Sequence, residues 1–102
     1  MRRGTTPTYD ITISDMKNVE DVCLAFEQTS SGVMLAKHVS DNDGRSGFTS
    51  TGCYFTLSQE ETASFSKGSV KWQIKLKFKD GTVSSTDYTS EKVIDEIHEE
   101  NW

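Results

Sequence analysis

The chain has 102 residues, enough for one domain built on a single two-layer core. Hydrophobic residues are 33% of it, below the usual apolar share, so the core has to be economical; aromatics at 10% argue against disorder. Sixteen acidic residues against eleven basic ones give a net charge of -5, the wrong sign for neutralising phosphates, and no apolar run approaches the ~20 residues of a membrane span.

We therefore expect neither nucleic acid nor a membrane as partner, although Lys71, Lys75, Lys77 and Lys79 form a local basic run. Met1-Arg2-Arg3 is followed by polar Gly4-Thr5-Thr6-Pro7 and not by an apolar stretch. The expectation is a chain made and kept inside a cell, or released by lysis. Without a secretion signal, Cys23 and Cys53 read as buried thiols and not as a disulfide.

In chain order, residues 2–7 are polar and hold the only proline, which suits the start of a strand. They read as an extended, basic arm (1–8) ahead of an acidic body. Tyr9, Ile11 and Ile13 then share one face at strand period. Residues 14–21 are a turn region. Residues 16–26 fit a helical stripe through Met16, Val19, Val22, Cys23 and Phe26, and Val22, Leu24 and Phe26 fit a strand; we favour a strand over 22–28. Ser30-Ser31-Gly32 is turn chemistry, and residues 33–39 read as the hairpin partner, with Val33, Leu35 and Val39 on one face. Residues 40–47 are a polar loop.

Gly52 to Leu57 is the next predicted strand, facing Cys53, Phe55 and Leu57 inward. Ser58-Gln59-Glu60-Glu61 is a capping box, which predicts one helical turn closed by Phe65 entering the core. Val70, Trp72, Ile74, Leu76 and Phe78 alternate with Lys71, Gln73, Lys75 and Lys77. That is a strand with one dry and one wet face. Asp80-Gly81 predicts a hairpin turn, and residues 82–90 a weak return strand. Residues 93–102 are acidic and read as one or two helical turns, fraying over 95–102. Six or seven short strands with frequent turns predict an all-β, antiparallel sandwich with one short helical turn, as a single domain over 1–102.

No catalytic constellation can be assembled, and no cofactor or metal is expected. His38 and His98 lack triad or metal spacing. Asp41-Asn42-Asp43-Gly44 fails as a calcium loop, because Val39 and Ser50 stand where ligands are needed. Four residues remain as candidate partner contacts: Arg2, Arg3, Tyr54 and Trp102. Tyr54 lies on the polar side of its strand. Trp102 either folds back or meets a partner.

Three segments carry a resemblance: the opening Arg2-Arg3-Gly4-Thr5-Thr6-Pro7-Thr8; Leu57-Ser58-Gln59-Glu60-Glu61-Thr62 with Phe65-Ser66-Lys67-Gly68; and the Asp80-Gly81 hairpin. In this order they resemble small phage and prophage structural proteins of Gram-positive gut bacteria, described as minor structural or tail-region proteins. More loosely they are similar to the N-terminal domains of baseplate proteins. The resemblance implies an immunoglobulin-like β-sandwich that acts in virion assembly. It implies contacts with other virion proteins or with itself as a homo-oligomer, and a passage from the bacterial cytoplasm into the virion. It carries over no catalytic residue. The polar stretch 86–92, with Tyr88 alone, departs from the more apolar last strand of that group. Two other readings compete. One is a carbohydrate-binding or cell-surface adhesion module that stacks sugars on Tyr54 and Trp102. The other is a small acidic protein that binds a host enzyme.

Overall fold

The strongest alternation in the sequence becomes the central element of the fold. In the computed structural model, which describes residues 1–95, β6 (Gly68–Phe78) is an eleven-residue strand with both edges paired. One edge takes β2 (Val19–Gln28), which pairs in turn with β3 (Val33–His38). The other edge takes two short strands end to end, β7 (Val83–Ser85) and β8 (Thr89–Val93). All these pairings are antiparallel. A second sheet of three strands has the order β1 (Thr8–Thr12), β5 (Gly52–Thr56), β4 (Ser46–Phe48). The eight strands among the described residues form the antiparallel β-sandwich that the alternation predicts.

The core lies between the sheets. Val22, Leu24 and Phe26 of β2, Val70 and Ile74 of β6, and Cys53 and Phe55 of β5 are buried, as are Leu57 and Phe65. Tyr9 reaches across from β1, its ring centroid 5.5 Å from both Phe26 and Trp72 in edge-on contacts. Such edge-to-face pairs add about 0.5–1.5 kcal/mol each beyond their burial. The Tyr9 hydroxyl donates to Glu91 Oε1 at 2.7 Å. Burial first, then that carboxylate, push its phenol far above the ordinary range.

Helical structure is brief. A 3-10 turn over Met16–Asn18 precedes β2, so strand pairing claims residues 19–28 and settles the helix-or-strand question for 16–26. Pairing against β6 offers these residues more buried apolar contact than an isolated amphipathic turn would. Helix α1 (Gln59–Ala63) starts on the predicted box: Ser58 Oγ accepts from Glu61 N, and Glu61 Oε1 accepts from Ser58 N at 2.7 Å. Phe65 follows it into the core with no exposed surface.

Four local readings change. The return strand over 82–90 is split after Thr86, whose N still donates to Ile74 O at 2.9 Å while its hydroxyl, in place of its carbonyl, accepts from Ile74 N at 3.1 Å. Its second half, β8, runs on to Val93, which is buried, so the predicted helical turns do not begin there. A strand the sequence hid, β4, lies inside the expected loop 40–47. Finally, Val39 leaves the β3 face for a 3-10 turn (Val39–Asp41), and Lys37 takes the inward position. The rest of the acidic tail, 96–102, lies outside the described residues.

Two buried polar groups hold the loops. Gln28 is wholly buried: its Nε2 donates to Ser66 O at 2.7 Å, and its Oε1 accepts from Ser66 N at 2.7 Å and from Ser31 Oγ at 2.6 Å. Lys37 is 5% exposed, with Nζ 3.1 Å from both Glu61 carboxylate oxygens and 3.3 Å from Asp43. It therefore ties the edge strand β3 to the cap of α1.

Candidate functional site

Period two sends half of each strand to the outside, so each sheet has an outward face. On the three-stranded sheet that face carries Thr8, Asp10, Thr12, Tyr54 and Thr56. Tyr54 stands opposite Gly47 in the ladder, and a Cβ on Gly47 would lie 3.1 Å from its ring. The ring thus covers the bare backbone of an edge strand, an aromatic shielding a glycine.

The outward face of the five-stranded sheet is different. From β2 it shows Cys23, Ala25 and Glu27; from β3, Met34, Ala36 and His38; from β6, Lys71, Gln73, Lys75 and Lys77. Val83 lies beside Lys77 and Lys92 beside Ser69. Tyr88, in the gap between β7 and β8, brings its ring 4.6 Å from Lys71 Nζ, a cation–π contact. Met34, Val83 and Tyr88 are 75%, 60% and 59% exposed, three large apolar groups on one side of a small molecule. Between them the floor is low, because Ala25 faces Ala36 directly across the ladder. Two adjoining depressions of about 380 and 430 Å³ share Ala25 and Gln73. Met34 and Tyr88 border the first; Cys23, His38 and Val83 border the second.

The charge of this face runs against that of the chain. Lys71, Lys75, Lys77 and Lys92 stand against three carboxylates, Glu20, Asp21 and Glu27, in a chain of net charge -5. Asp21 is largely spoken for. Its Oδ2 accepts from Ser40 Oγ at 2.7 Å and lies 3.3 Å from His38 Nδ1, and its Oδ1 accepts from Ser40 N and Val22 N. Burial pushes this carboxyl up, but those hydrogen bonds and His38 outweigh it and hold the group below its ordinary value. Lys77 Nζ lies 3.7 Å from Glu20; Lys75 and Lys92 have no ion pair among the described residues.

Both cysteines are free. Burial, and then the Asp21 charge, push the Cys23 thiol up, and burial alone pushes Cys53 up to about 11. A raised thiol is a poor nucleophile at neutral pH. Among the described residues no three His, Cys, Asp or Glu side chains are grouped to hold a metal ion, and no helix is long and apolar enough to cross a membrane.

The four candidate contacts do not converge. Arg2 forms a bridge with Ile94. Arg3 donates through Nε to Phe65 O at 2.7 Å and through Nη2 to Ala63 O at 3.1 Å, and its Nη1 lies 3.4 Å from Asp95. Gln59 and Thr62 donate to the carbonyls of Gly4 and Thr5. The opening arm therefore lies along its own domain, closing the end of α1. Tyr54 sits on the other sheet, and Trp102 lies outside the described residues. The exposed trio of Met34, Val83 and Tyr88 was missed in the sequence. Its one visible signal was an apolar residue on the wet side of strands whose other outward residues are polar or small.

No family model, no curated protein and no solved structure matches the chain.

Proposed function

We propose that this chain is a structural protein of a phage particle, in the tail or baseplate region, and that it works through protein–protein contacts. It would be made in the bacterial cytoplasm and carried into the virion. The resemblance of the opening segment, the capping box and the hairpin supports the phage setting. The contact reading rests on one observation: Met34, Val83 and Tyr88 are exposed together on the outward face of the five-stranded sheet. Large apolar groups gathered on one sheet face, two bordering one depression and the third its neighbour, are what a protein contact site offers.

Mass spectrometry of purified phage particles tests the proposal, with copy number set against the major tail protein. A fixed stoichiometry above background is expected. Presence only in the soluble lysate would reject a virion role and favour binding to a host protein.

A carbohydrate-binding module has weaker support. Of its two stacking aromatics, Tyr54 is laid over Gly47 and Trp102 lies outside the described residues. Titration with cell-wall polysaccharide would then leave tryptophan fluorescence unchanged.

A further inference from the structure

We infer that the outward face of the five-stranded sheet docks an acidic surface of a different protein, with apolar side chains of that partner entering the two depressions. The inference names the partner class for the contact face proposed above and rests on that reading.

Three observations carry it. The first is charge complementarity. Four lysines against three carboxylates, one of them Glu20 beside Lys77, leave this face slightly basic, while the chain as a whole is acidic. An acidic partner would be steered to this side and repelled by the rest of the molecule. The second is relief. Ala25 and Ala36 leave low ground between Met34 and Tyr88 at one end and Val83 at the other, room for side chains from a facing surface. The third is lysine placement. Lys71, Lys75 and Lys77 stand on one line down β6, so two copies stacked face to face would set lysine against lysine. That disfavours a symmetric pair through this face, and the chain's own charge disfavours nucleic acid.

The larger groove, between β3 and α1, is a poorer candidate. Its lysine, Lys37, is already held by Glu61 and Asp43.

Zero-length carbodiimide crosslinking joins a lysine amine to a carboxylate only where the two touch. It should be run in parallel on purified particles and on the lysate of an induced host, at low and high salt. The expected result is crosslinks from Lys71, Lys75 or Lys77 to Asp or Glu residues of one identified partner, weakened by salt. The K71E/K75E/K77E variant should lose them while crosslinks from Lys17 persist. M34E should reduce their yield with all lysines in place and an unchanged melting temperature. Crosslinks only through Lys17 or Lys67, crosslinks to a second copy of this chain, or retention of nucleic acid in their stead would each overturn the inference. Presence or absence in particles decides the virion reading separately: partner crosslinks confined to the lysate would support this face and reject that setting.

Discussion

The two outward faces arise from the same alternation and end differently. On the three-stranded sheet the outward positions hold threonines, one aspartate and a tyrosine laid over Gly47, so little apolar surface is left open. On the five-stranded sheet they hold alanines, lysines and three exposed apolar groups. Strand geometry dictates that a face exists; only the residues at its positions decide whether that face is finished or waiting. The free edge of β3 is guarded by an inward lysine, a device that discourages further strand pairing.

The largest effect tests whether the closed face depends on its sheet. A Cβ on Gly52 would lie 1.7 Å from Ile11 O, inside the backbone of β1. Gly52→Ala should cost more than about 4 kcal/mol, at the far end of the range for single substitutions, and read out as loss of the cooperative thermal transition. A variant that melts normally would show that β1 and β5 can separate without harm.

Next comes the guarded edge. Lys37→Met removes a buried cation and leaves Glu61 facing the interior, an expected loss of about 2–4 kcal/mol by urea unfolding. It also strips the guard from β3, so sedimentation should detect larger species at high concentration. Stable monomers throughout would mean that Lys37 serves packing alone. Tyr54→Ala should cost about 1 kcal/mol, the scale of a cross-strand aromatic contact, and be partly restored by Tyr54→Phe.

The open face should respond weakly in stability and strongly in contact. Asp21, at its border, has a carboxyl held below its ordinary value. Its contribution is therefore present above the unfolded value near 3.8 and is lost as pH falls through the lower folded one. The melting-temperature gap between the wild type and Asp21→Asn should close on acidification below about pH 4. A gap that widens in acid would reverse the sign. Smallest of all, Met34→Ser and Tyr88→Ser should each change stability by less than about 0.5 kcal/mol. A larger loss would mean these groups serve the fold and are not left over for a partner.

How much of this was legible beforehand follows from the range of the forces. The Val70–Phe78 strand, the Ser58–Glu61 box and the Asp80-Gly81 turn are local patterns, and each appears where it was read. The two sheets followed from counting such strands. What was hidden depends on neighbours distant in sequence. Ser46-Gly47-Phe48 has no strand signal of its own and is extended only because β5 lies alongside. Val93 looks helical beside the acidic tail, yet it is claimed by Gly68 across the ladder. Arg2 and Arg3 looked like a reaching arm because their acceptors, the carbonyls of Ala63 and Phe65 and the bridge to Ile94, lie some sixty to ninety residues on. The contact face was hidden for the same reason. Met34, Val83 and Tyr88 come to one face only when β7 and β8 share one edge of β6.

That shared edge also sets the order of events during synthesis. The central strand β6 emerges some forty residues after its partner β2, and the bridge from Arg2 must wait for Ile94. At about 5–20 residues per second of translation, the apolar side of the β2–β3 hairpin spends several seconds without its cover. In that interval Lys37 lies on the hairpin's uncovered apolar side, before Glu61 has been made. A charge that the finished protein encloses thus stands open on the unfinished hairpin, where an inward-pointing charge disfavours pairing with another strand edge.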